Sequence, residues 1–431
     1  MGDRLSTPAP FDGNPDVAVF HPGTQHSWQT AYALQQLGRL AWYATSIYYR
    51  PGRFPYVLEK LPGAAGARIG GAVRRFAHPA LDPERVRTSG LIEWLERIAS
   101  ATGRRELAQR LDFWGNHRFG RSLRGAVRDP SVRALWGYNG SSASLFESPH
   151  AADRHRILDR TTGDWRAYNA AMDRVAADYP EWFLPVERRV GQHQIDRDQR
   201  EYAAADTILC GCEFAAETVR EHGGAAAAGK VRVLDYCFDE GNFAELAAPR
   251  PLARDAPVKF LFLGLAIPRK GIHHALEAIA RIPRSAATLT VVGQMGIPRE
   301  IFARFADRVE YRPNVPRSAV PGILAENHAL VFPTHFEGAG IVLYEALAAG
   351  CALIQSDRAA LAVTPETGLL LPEPSSDALY DAMLETIDNR DRLDAWRAAA
   401  QAEAARYSFA RYREGIASLL DEVLPGSPGK A

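Results

Sequence analysis

Residues Val331 to Gly350 read VFPTHFEGAGIVLYEALAAG, and the fold is decided by how this stretch is read. A short apolar strand, Ala329 to Phe332, runs into Pro333 and Thr334, which end it. Gly338 and Gly340 then permit a tight turn, because no Cβ stands in the way. The spacing predicts a helix from about Gly340 to Ala349, closed by Gly350. Glu337 falls in the turn. Glu345 falls inside the helix, among Ile341, Val342, Leu343, Ala346 and Leu347. A carboxylate in so apolar a segment is costly unless donors meet it, and ligand hydroxyls are one kind of donor that serves. The free amides at the helix start, around Gly338, Ala339, Gly340 and Ile341, suit an anion. A turn at the carboxyl end of a strand is also where open α/β sheets bind ligands.

The chain around this stretch has 431 residues, which predicts two domains rather than one core. It is 46% hydrophobic and 24% charged, as expected of a globular enzyme-like chain. Its formal net charge is zero, so bulk composition gives no support for a nucleic-acid partner. There is no basic-then-apolar leader and no run of the eighteen or so apolar residues that a membrane span needs. Cys210, Cys212, Cys237 and Cys351 are expected to be reduced, mostly buried thiols of a cytoplasmic protein. No metal is expected, because no paired-Asp motif stands at a strand end.

Strand, loop, helix recurs along the whole chain, so the fold class is α/β, with helices on both faces of each sheet. Asp16 to Phe20 is a strand, HPGTQHS (21–27) its loop, and Trp28 to Leu37 a helix. Gly23 lets the backbone approach a ligand, and Thr24, Gln25 and His26 sit where phosphates or sugar could be met. Leu40 to Tyr49 is a second strand. Residues 67–110 read as a helical insert with nine arginines against five acids, either a solvated face or a surface for anionic membrane or acceptor. Val132 to Trp136 is a strand followed by Asn139 in a loop. Arg156 to Asp159 is another, leaving through RTTGDW (160–165), and residues 167–202 read as helical. In the second half, Lys259 to Leu263 is a continuous apolar strand leading into GLAIPRKG (264–271), and Thr288 to Val292 leads into Gly293. Lys270 is one of five lysines and stands at a helix start, where the dipole disfavours a cation; an intervening phosphate would reverse that penalty.

Glu337, seven residues, then Glu345, within PTHFEGAGIVLYEALAAG, resembles the acid pair of the retaining glycosyltransferases of family 4. The resemblance extends from about residue 16 to 422 and is strongest beyond 200. It implies a GT-B fold, with two Rossmann-like domains facing across a cleft. The implied division is a leader at 1–15, an N-terminal acceptor-side domain at 16–243, a linker at 244–257, a nucleotide-sugar domain at 258–404, and a helix at 405–424 crossing back. It also implies roles. Glu337 would face the donor sugar, and Glu345 would hold the ribose. Arg269 and Lys270 would meet the diphosphate, with Gly264, Gly293 and Gly23 lining it. The sequence departs from the family in two places. Leu265 stands where the family has an arginine. Thr161, Thr162 and Asp164 stand where it has a donor-side histidine, which makes Asp164 a candidate in that role. The implied activity is sugar transfer with retention from a UDP-, GDP- or ADP-linked donor to a sugar or lipid-linked glycan acceptor, in the cytoplasm, with peripheral contact to anionic membrane as a further expectation. A sugar-nucleotide epimerase, a phosphorylase and a non-catalytic sugar-nucleotide-binding partner are the alternatives.

Overall fold

A computed structural model describes residues 15–23, 26–50, 52, 54, 56–74, 76, 78, 80–88, 119–184, 189–224, 227, 229–313 and 315–425. Thr24 and Gln25, and residues 89–110 of the expected helical insert, lie outside the described residues.

The first sheet has seven strands: β1 (Val17–Phe20), β2 (Leu40–Thr45), β3 (Val86–Thr88), β4 (Ala134–Tyr138), β5 (His155–Arg160), β6 (Thr207–Cys210) and β7 (Val231–Val233). Their order is β3-β2-β1-β4-β5-β6-β7, and β1 pairs in parallel with both β2 and β4. VAVF and ALWGY are buried along their whole length, as strands covered on both faces must be. The second sheet has six: β8 (Val258–Leu263), β9 (Ala287–Val292), β10 (Val309–Arg312), β11 (Ala329–Phe332), β12 (Ala352–Gln355) and β13 (Gly368–Leu370). Their order is β10-β9-β8-β11-β12-β13, parallel throughout. Both sheets are thus the open, parallel α/β type that the repeating strand–loop–helix pattern predicts.

The strand orders locate the places where a ligand can enter. In the second sheet the chain builds outward from β8 through β9 to β10, then returns to the other side of β8 with β11. The loops after β8 and β11 therefore stand at the switch point of the sheet, at the carboxyl ends of the strands, where open α/β sheets take ligands. In the first sheet the same reversal falls between β1 and β4, at the 21–26 and 139–142 loops.

By packing, one compact unit takes residues up to Arg160, Asp196–Leu209 and those from Arg413 on; the other takes Thr161–Ile195 and Cys210–Tyr412. The core of the second sheet joins Phe260, Phe262, Val291, Val331 and Ile354 to Ile272, Leu276 and Ile279 of the helix Ile272–Ala280, and to Met383, Leu393 and Trp396. That helix is buried nearly all round, as an apolar helix in a core should be. His273 and His274 lie in its first turn, wholly inside the protein.

Two parts of the sequence reading need revision. The run read as one helix from 167 to 202 is two, Trp165–Asp178 and Gln192–Ala204, because Pro180 opens a 3-10 turn between them. Within the region read as helical from residue 67, Ala64–Arg74 is a helix, but Val86–Thr88 is the edge strand β3. Among the described residues, no helix is long and apolar enough to cross a membrane. The four cysteines are buried free thiols.

Candidate active site

The crevice at the reversal of the second sheet is built by two loops. The loop after β8 ends in the 3-10 turn Pro268–Lys270, capped by Gly271 in the left-handed conformation at φ 74°. A Cβ on Gly271 would stand 2.0 Å from the Pro333 carbonyl oxygen, so only glycine lets this loop reach the one after β11. The two are then stitched together. The Arg269 carbonyl accepts from the His335 amide at 2.8 Å and the Thr334 hydroxyl at 3.1 Å, and Arg269 Nη1 donates to the Phe336 carbonyl at 2.6 Å.

This stitching brings Glu337 between two cations. Its Oε2 lies 2.8 Å from Lys270 Nζ and 3.1 Å from Arg269 Nη1. Both contacts are ion pairs at hydrogen-bonding distance. Burial pushes the Glu337 carboxyl upward, but Lys270 and Arg269 outweigh it and hold the group below the usual carboxylate range. Glu337 is therefore an ionised carboxylate in a half-buried pocket, and Lys270 also faces the Phe332 ring, 5.7 Å from its centroid. The Glu337 amide donates to the Arg358 carbonyl at 3.0 Å, which fixes the turn.

Gly338 follows, where a Cβ would meet the Thr161 carbonyl oxygen at 2.1 Å, and the Cys212 thiol donates to the Gly338 carbonyl at 2.8 Å. Ala339 is buried, Gly340 has a φ of 74°, and Ile341 begins the helix Val342–Ala348 with no side chain capping it. Glu345 in that helix is only 3% exposed, and the exposed Arg317 pairs with it. Burial raises the Glu345 carboxyl, and Arg317 partly offsets this. Gly264 and Gly293 end β8 and β9 side by side, so the bottom of the crevice is backbone.

The other sequence candidates have different surroundings. Asp164 is the N-cap of the helix Trp165–Asp178: its carboxylate accepts from the Arg166 amide at 2.8 Å and pairs with the Arg166 guanidinium at 3.0 Å. At the reversal of the first sheet, Gly23 donates its amide to His21 Nδ1 at 3.1 Å, and His26 Nδ1 stands 3.1 Å from Gln29 Oε1. Asn139 is half-buried after β4, its amide bonded to the Asp159 carbonyl at 3.1 Å.

His21 and Arg317 escaped the sequence reading, whereas Glu201 opens a segment, Glu201 to Asp206, that resembles the family's Glu-x-x-x-Ala-Asp. His21 is buried in the first loop, where burial lowers its pKa to about 4. Glu201 cradles the loop after β4 by accepting from the amides of Gly140, Ser142 and Ala143 at 2.8, 2.8 and 3.2 Å, and burial lifts its pKa to about 7. Arg317 carried no sequence signal. The expectation of no metal is overturned by a third group: His273, His274 and His335 bring one ring nitrogen each within 4.8 Å of one another, a donor set able to hold a metal ion. The search for paired aspartates could not find it, because imidazole nitrogens are also metal ligands. The sequence signal was the adjacent pair His273-His274 at a helix start.

Two Rossmann-like sheets of these orders define the GT-B class of fold. Solved structures of that architecture superpose on nearly the whole chain. They include sucrose-phosphate synthase from Thermosynechococcus elongatus (TM-score 0.64, 15% identity, covering 96% of this chain and 100% of that one) and HepE from Anabaena in complex with UDP (TM-score 0.59, 12% identity, 94% and 100%). At sequence level, residues 257–389 match the family described as glycosyl transferases group 1. D-inositol 3-phosphate glycosyltransferase of Nocardia farcinica is 28% identical over 271 residues, 58% of this chain and 57% of the relative. Lipopolysaccharide glucosyltransferase WaaG of Escherichia coli is 31% identical over 150 residues, 32% and 38% of the two chains. The chain spans about half the length of the curated relatives it matches.

Proposed function

We propose that the protein is a retaining glycosyltransferase that moves a sugar from a nucleoside diphosphate to an acceptor hydroxyl. The observation that carries this reading is the convergence of Lys270 and Arg269 on the ionised Glu337 in the crevice of the second sheet. In transfer, the bond from the anomeric carbon to the diphosphate oxygen breaks, and its electron pair leaves with the diphosphate. Two fixed cations answer the charge that develops there. A carboxylate beside the same point answers the positive charge on the sugar. The acceptor oxygen then bonds to the anomeric carbon and gives its proton to the departing diphosphate oxygen. The uncapped start of the helix Val342–Ala348 supplies amides to the donor. Glu345 accepts from the ribose hydroxyls in place of, or alongside, Arg317. The relatedness of residues 257–389 to sugar transferases supports the same placement of the donor. We keep the division of labour expected from the sequence, with donor binding in the second domain and the acceptor, a sugar or lipid-linked glycan, met by the first. The arginines of residues 67–110 are the proposed contact with an anionic membrane surface.

Calorimetry of the purified chain with UDP, GDP and ADP tests the donor site. At least one should bind, and Lys270→Ala should weaken it. Failure of all three to bind a folded chain would remove the reading.

Glu345 is placed away from the reacting carbon, so its binding energy should be nearly the same in ground and transition states. Glu345→Ala is expected to raise the donor KM on the order of tenfold, with kcat within about twofold of wild type, as for loss of a charged hydrogen bond. Steady-state kinetics with varied donor checks this. A fall in kcat at unchanged KM would move Glu345 out of the ribose role.

A further inference from the structure

We infer that His273, His274 and His335 form a site for one late first-row divalent cation, for which Zn2+ is the natural probe, tying the start of the helix Ile272–Ala280 to the loop that carries Glu337. The site is independent of the proposed reaction and rests on the geometry of three side chains.

The three rings are packed together. His274 Nε2 lies 2.9 Å from His335 Nε2, the His273 and His274 ring centroids are 3.8 Å apart, and the His273 and His335 rings lie 9° from parallel at 5.5 Å. Two nitrogens sharing a metal at about 2.0–2.1 Å sit roughly 3–3.5 Å from each other. The close pair therefore has to open by only a few tenths of an ångström to admit an ion.

Proton bookkeeping fixes which nitrogen of His274 points inward. The Ser376 hydroxyl donates to the Glu277 carboxylate, so its oxygen is left to accept from His274 Nδ1–H at 3.0 Å. Nε2 then carries the lone pair, and Nε2 is the atom that faces His335. A ligating imidazole held from behind through its other nitrogen, with a carboxylate at the end of the chain, is the arrangement that orients histidines at metal centres.

His273 supplies the independent observation. Its side chain is fully buried, and neither ring nitrogen has a hydrogen-bond partner. Buried polar groups are nearly always satisfied, so two orphaned nitrogens on one ring call for an explanation. Its other neighbours are the rings of Tyr179 at 4.5 Å and Trp182 at 5.8 Å, which give its lone pair nothing. A cation bound by His274 and His335 would receive that lone pair. With only nitrogen donors, the set suits zinc, copper, nickel or iron rather than magnesium or calcium. Two of the three ligands lie in the core, so the ion acts by position. It would anchor His335, whose amide is already bonded to the Arg269 carbonyl, two residues ahead of Glu337.

The test uses the full chain, dialysed against a chelator and then given Zn2+ alone. After desalting, elemental mass spectrometry should find about one zinc per chain, and the melting temperature should rise by several degrees over the stripped protein. His335→Gln should lose both the retained zinc and the rise; His335 lies in a half-buried loop, so this variant is chosen to preserve the fold. Co2+ added to the stripped wild type should give the visible absorption of a four- or five-coordinate ion, a readout that needs no variant. A folded wild type that retains no zinc, melts unchanged with Zn2+ and gives no such Co2+ band would show a hydrogen-bonded histidine cluster instead. Equal zinc retention by His335→Gln would place the ion elsewhere.

Discussion

Glu337→Gln is expected to lower kcat by on the order of 10²–10³ while nucleotide affinity stays near that of wild type. The substitution keeps the size of the side chain and its reach, and removes only the charge. In the resting protein that charge balances Lys270 and Arg269 at 2.8 and 3.1 Å. In the proposed transition state the same carboxylate faces a carbon that is becoming positive, and a fixed charge of that kind is worth several kcal/mol only at that moment. Some loss of melting temperature should accompany it, because two half-buried cations lose their anion. Pairing kcat with calorimetric nucleotide affinity separates the two effects. Normal turnover by a folded Glu337→Gln would leave Glu337 as a structural counter-ion only.

Lys270→Ala is the second large effect, with turnover falling on the order of 10², as when a single charge-stabilising donor is removed. Nucleotide affinity should fall with it, unlike in Glu337→Gln, because Lys270 is proposed to hold the diphosphate in the ground state as well. Lys270 makes no backbone stitch; those fall on Arg269 and His335. The turn should therefore survive, and Lys270→Ala should cost much less in stability than in rate. Thermal melting beside kcat reads this directly. Small and equal effects on both would remove Lys270 from the site.

The second sheet was the more legible part of the sequence. Ala329–Phe332 has the bounds read from its apolar run. That strand is buried along its whole length, so continuous hydrophobicity marks it without ambiguity. β3 was not legible, since three residues with two exposed carry no period. Asp164 caps the helix Trp165–Asp178, a local use that the sequence reading did not name. The link from Arg317 to Glu345 spans 28 residues and that from His274 to His335 spans 61. Such pairs are made by strand order, which local pattern does not encode. Lys270 and Glu337 were each singled out for separate chemical reasons, and their contact follows from β11 returning beside β8.

The account is tested most directly by incubating the chain with a panel of UDP-, GDP- and ADP-linked sugars and candidate acceptors, and reading the product's anomeric configuration by NMR. The proposed mechanism predicts transfer from at least one donor, with the new glycosidic bond in the same configuration as the bond to the diphosphate. Transfer with inverted configuration would contradict the role given to Glu337, and binding of donors without transfer to any acceptor would contradict the catalytic claim itself.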